Sequence, residues 1–65
     1  MRRTPQQEVE YRVFKQTRTV GEVTTYEVVD RIAPGATIVG SYDTPEDADA
    51  HRDRLREEHL RRIAR

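Results

Sequence analysis

The chain has no cysteine, which excludes disulfide staples and thiolate metal sites. It has no net charge either: twelve Lys and Arg balance twelve Asp and Glu. A dedicated duplex-binding domain carries a clear basic excess, because neutralising phosphates drives its affinity. Nor is there an apolar run near the roughly 20 residues that a membrane-crossing helix needs. Met1–Glu8 has no apolar segment behind its arginines, so no secretory leader is expected there and a cytoplasmic location is. Only Gly21, Gly35 and Gly40 are glycines, too few and too scattered for a phosphate-cradling loop. Ser41 is the lone serine and has no Gly-x-Ser-x-Gly elbow around it.

What is present makes one small domain. Of 65 residues, 34% are hydrophobic and 37% charged, so the core must be thin. A stapleless chain of this size commonly gains stability by self-association or by docking on a partner, and a homodimer is the expectation. Residues 1–7 are polar with Pro5 and read as a disordered arm, leaving 8–65 as the folded domain. From Val9 the pattern alternates: Val9, Tyr11 and Val13 on one side, Glu10, Arg12 and Phe14 on the other, as in a half-buried strand. Gln16–Gly21 reads as a hairpin connection. Glu22–Asp30 is rich in β-branched and aromatic residues and reads as a second strand, with Tyr26 and Val28 on one face and Val23, Thr25 and Val29 on the other. Ala33-Pro-Gly-Ala36 suits a type II turn. Thr37–Tyr42 is a third strand that places Ile38, Gly40 and Tyr42 on one face.

Thr44 is a helix N-cap and Pro45 fits the first helical turn. Asp43, Glu46, Asp47 and Asp49 then lie at the positive end of the helix dipole, and Arg61, Arg62 and Arg65 at its negative end. The fold expected is α+β: a three-stranded antiparallel meander with one long C-terminal helix packed on one face. Ala48, Leu55 and Ile63 form the sheet-facing stripe, flanked by His51, Arg52 and His59. A helix over 45–64 would be about 30 Å long, against about 23 Å for a seven-residue strand. Its last turns should overhang the sheet, leaving Leu60 and Ile63 for an interface.

Catalytic and metal chemistry find little footing. Asp47 and His51 are four apart and can pair on the helix surface. His51 and His59 are about 12 Å apart along the axis, too far to share one ion, and a third histidine is lacking. No metal, cofactor or enzymatic activity is expected. The favoured function is a protein–protein interaction module acting through an exposed sheet edge or through the helix, by Leu60 and Ile63 or by the acidic face Glu46, Asp49, Asp53 and Glu57. The alternative is weak nucleic-acid binding by the outer sheet face, where Arg12, Phe14, Lys15 and Arg18 would gather, diluted by Glu8, Glu10, Glu22 and Glu27.

Three strands followed by one long helix resemble, in order of elements, the three-stranded DNA-binding domains of phage integrases and plant AP2 factors. Those read DNA with a basic sheet face carrying Arg and Trp, which this chain lacks. Tyr26–Asp30 together with Ile38–Ala48 also resembles a loose set of short bacterial and phage proteins. That likeness supports the β-β-β-α order and implies no activity; the interaction module favoured here is expected to be a phage- or mobile-element-borne regulator or inhibitor.

Overall fold

A computed structural model describes residues 3–32 and 35–63. The order is α1 (Pro5–Arg12), β1 (Val13–Val20), β2 (Val23–Ile32), β3 (Gly35–Tyr42) and α2 (Pro45–Ile63). The strands form one antiparallel sheet with β2 at its centre, and α2 packs on one face. The α+β class and the meander-plus-helix architecture are those expected.

The start of the chain differs from expectation. Residues 5–12 are helical, so no disordered arm extends to residue 7 and no strand begins at Val9. The cause is local. The Thr4 hydroxyl accepts from the Gln7 N–H and the Gln7 side chain accepts from the Thr4 N–H, with Pro5 at the first helical position. Because Pro5 has no N–H, the helix start leaves three donors open, and the reciprocal cap satisfies two of them. Val9 is the one buried residue of α1.

β1 also runs further than expected, with Gln16–Val20 inside the strand. The connection is Gly21–Glu22 alone, because Val20 pairs with Val23. Gly21 has φ of +62° and Glu22 does not have positive φ, the sign pattern of a type II′ hairpin turn. Ala33 and Pro34 of the expected type II turn lie outside the described residues. Gly35 opens β3, paired with Ile32 and without positive φ.

Register then fixes the faces. Directly opposed residues share a face, so Val13 with Asp30, Lys15 with Val28, and Thr17 with Tyr26 point towards α2. Val13, Val28 and Ala48 are fully buried there, with Tyr26, Tyr42 and Leu55 packed around them. On β3 the register slips: Val28 pairs with Gly40 but Val29 with Ile38, leaving Val39 as an extra residue. One inserted residue reverses side-chain parity beyond it. Gly40 and Tyr42 face α2 as expected, whereas Ile38 lies on the outer face opposite Val29.

At Gly40 a side chain of α2 lies directly against the sheet backbone. A Cβ there would lie 2.5 Å from His51 Nδ1 and 2.9 Å from Tyr42 Cε2, inside contact distance. The two side chains it would strike are themselves joined, Tyr42 Oη to His51 Nδ1 at 2.9 Å. Gly40→Ala should therefore lower unfolding free energy by about 1–3 kcal/mol. In urea denaturation, combining it with His51→Ala should cost less than the sum of the two single changes. An additive result would show that Gly40 is not needed for this contact.

Candidate interaction surface

Two arrangements stand out: a polar knot that holds the helices, and a sheet face that nothing described covers. In the knot, Asp30 projects from central β2 with its side chain only 7% exposed. Its Oδ1 accepts from Arg12 Nε of α1 at 2.8 Å. Its Oδ2 lies 3.2 Å from His59 Nε2 of α2. A carboxylate oxygen only accepts, so Nε2 donates in this contact, and His59 Nδ1 is buried with no hydrogen-bond partner among the described residues. Arg56 of α2 donates to the carbonyls of Val13 (2.8 Å) and Glu10 (3.2 Å), and Arg31 of β2 donates to that of Tyr11 (3.1 Å). Glu10 and Tyr11 sit in the last turn of α1, where carbonyls have no helical donor. Arginines from two other elements thus cap α1.

Asp30 and His59 meet as an Asp–His pair, and among the described residues no hydroxyl is hydrogen-bonded to His59. Ser41 opposes Glu27 on the outer face, while both histidines lie on the helix-covered side. Among the described residues no three His, Cys, Asp or Glu side chains gather for a metal, and none of the described helices is long and apolar enough to cross a membrane.

The sequence-predicted helix surface is largely occupied by its own contacts. Leu60 is half-buried and lines, with Gln6 and Val9 of α1, a groove of about 240 Å³. Its cover comes from the unforeseen α1. Ile63 remains exposed at the helix end. Asp49 Oδ1 lies 2.6 Å from Lys15 Nζ and 3.2 Å from Arg52 Nη1. Asp53 lies 3.1 Å from Arg52 Nε and Glu57 pairs with Arg61. Of the acidic face, Glu46 keeps no such neighbour among the described contacts. His51 bonds Tyr42, in place of the expected pairing with Asp47; the Asp47 backbone N–H is held instead by the Thr44 cap at 3.3 Å.

The residues assigned to the outer sheet face divide. Lys15 points the other way, to Asp49 beneath α2, and Arg12 turns inward to Asp30, so neither belongs to that face. Phe14 and Arg18 do. Arg31, which sequence reasoning missed, stacks 4.4 Å from the Phe14 ring and 4.6 Å from the Tyr11 ring, with Arg3 on Tyr11 at 4.1 Å. The signal lay in parity, since Arg31 is two residues from Val29. Glu27, counted as diluting the face, is 5% exposed and bonded to Gln16, with Arg18 at 3.7 Å. Val29 is buried between Phe14 and Ile38 in register. Towards the hairpin tip the face ends in Val20 and Val23, 71% and 65% exposed.

Two measurements follow. Asp30→Asn should lose about 2–3 kcal/mol in urea denaturation, as hydrogen bonds to a buried charge do; a smaller loss would mean that the knot is not a principal tie. The Lys15 ammonium holds the Asp49 carboxyl below its ordinary value, chiefly by direct contact and further by its charge and that of Arg52, against some desolvation. A depressed carboxyl pKa contributes stability that is present above the unfolded value and lost as pH falls through the folded one. Lys15→Met should flatten the loss of stability below about pH 4, and overlapping acid-unfolding curves would refute the pairing.

Compared with known protein families, with curated proteins and with solved structures, the chain matches none.

Proposed function

We propose that this chain is a small, non-enzymatic protein-interaction module that presents the outer face of its sheet to a protein partner. The observation that carries the reading is the bare outer face. Its apolar side chains, Val20, Val23, Ile38 and the half-buried Phe14, lie on a face that no described helix covers. Among the described residues the buried apolar set is Val9, Val13, Val28, Val29 and Ala48. A molecule that leaves nearly as many apolar side chains on one bare face as it buries has material for an interface. The radius of gyration, 12.9 Å, exceeds the roughly 11 Å of a compact chain of this length. The extended shape fits a hairpin that reaches past the helix.

One observation favours a second reading, nucleic-acid binding by the same face. With Glu27 buried and bonded, Arg3 and Arg31 lie against Tyr11 and Phe14, with Arg18 further along the same face, a mixture of charge and aromatic surface suited to phosphates and bases. Tyr11, however, already carries the guanidinium groups of Arg3 and Arg31 at 4.1 and 4.6 Å from its ring, which a base would have to displace.

Affinity capture from host lysate, with and without nuclease, separates the two. The first reading expects a discrete protein that survives nuclease and is lost from Val20→Asp/Val23→Asp, a change at two exposed positions that should leave the fold intact. Capture lost to nuclease, together with binding to duplex or single strands that weakens steeply with salt and disappears in Arg18→Gln/Arg31→Gln, would replace it with the second.

A further inference from the structure

The two edges of the sheet are unlike. β1 carries Lys15 and Arg18 and is continuous with α1. β3, Gly35–Tyr42, reads GATIVGSY: eight residues without a charge or a proline, exposed over most of its length. An edge strand presents a row of unpaired N–H and C=O groups, and proteins commonly blunt such rows with lysine, proline or a bulge. On β3 only the bulge at Val39 is present. Thr37, Ile38 and Val39 around it are β-branched, the residue type that pairs well in sheets.

We propose that β3 pairs antiparallel with β3 of a second copy across a two-fold axis, joining two three-stranded sheets into one. This inference rests on the reading of the chain as an interaction module and names the first partner as the chain itself. A second copy is the occupant that the charge pattern suits. Self-pairing brings an uncharged strand against an uncharged strand, so no like charges meet at the seam. The formal net charge of zero adds no long-range repulsion between copies. Pairing β1 with β1 would instead juxtapose Lys15 and Arg18 with their own copies. Pairing β1 with β3 is head-to-tail, which builds a ring or an open filament and not a two-fold pair. The two-fold arrangement leaves no free β3 edge and sets two outer faces side by side, so the partner surface becomes bivalent.

The absence of cysteine makes the test clean. Light scattering over a dilution series should give twice the 7.6 kDa chain mass. Single cysteines at Thr37, Val39 and Ser41 should form disulfide-linked dimers under mild oxidation, with one position best, while cysteines at Thr17 and Thr19 of β1 should not. Val39→Lys places like charges across the seam and should weaken dimerisation by roughly a hundredfold or more with helical circular dichroism unchanged. A monomer mass at every concentration, or equal cross-linking through β1, would overturn the proposal. So would a monomer that loses its lysate partner on Val39→Lys, because the edge would then accept a different protein. Val20→Asp/Val23→Asp should keep the dimer mass, so failure of the edge and failure of the outer face are read separately.

Discussion

The carboxylate of Asp30 is the tie on which the arrangement of the helices depends. Burying an unpaired charge is costly, so the fold is acceptable only where both oxygens find donors. One is supplied by Arg12 at the end of α1 and the other by His59 near the end of α2. The central strand thereby fixes two helices from opposite ends of the chain. The described core, four valines and an alanine, gains from burial in almost any register, because hydrophobic burial is non-directional. Polar contacts with defined geometry distinguish one register from its neighbours. Arg56 and Arg31 extend the same logic to the open carbonyls of α1, where a planar guanidinium offers several donors in a fixed fork and an ammonium does not. The predominance of arginine, eleven against the single Lys15, thus has structural use at these three positions.

The bulge at Val39 has the opposite effect, since it removes apolar surface from the core. Without it Ile38 would join Gly40 and Tyr42 under α2. With it Ile38 stands outside beside Val29, 45% exposed, and the helix side is closed by Ala48, Leu55 and the Tyr42–His51 contact. One inserted residue thus moves one large apolar side chain from the helix side of the sheet to its outer face.

How far the sequence was legible follows from which signals are local. β2 could be read from its period, and its face assignments hold. The start of α2 could be read from Thr44 and Pro45, whose cap is observed. α1 carried two conflicting local signals. Val9, Tyr11 and Val13 alternate as a strand would, while Thr4-Pro-Gln-Gln7 is a capping pattern with Pro at the first helical position. Val9 and Val13 are also four apart, as helix spacing requires, and the capping pattern decides in favour of helix. The bulge has no comparable signature, because it is set by how β3 meets both β2 and α2. From that one unread residue and the unread helix came the misplacements of Ile38 and Leu60. Arg12 was misplaced because it belongs to α1 and not to a strand; Lys15 shares the parity of Val13, so the alternation itself assigned it to the inner side.

The candidate surface was obscured by composition for an electrostatic reason. Twelve charges of each sign suggest a uniform, self-cancelling exterior, but the structure separates them. On α2, Asp49, Asp53 and Glu57 have cationic neighbours, so much of the helix surface is locally neutral. On the sheet, Glu27 is withdrawn into contacts with Gln16 and Arg18, while Arg3 and Arg31 are held by rings, which stabilise a cation without cancelling its charge. The outer face therefore runs from an arginine–aromatic end beside α1 to an apolar end at the hairpin tip. A protein partner can use both ends, placing an acidic rim against the arginines and an apolar centre against Val20 and Val23. A nucleic acid has phosphates for the first end and little for the second, and that asymmetry is the physical reason for preferring a protein.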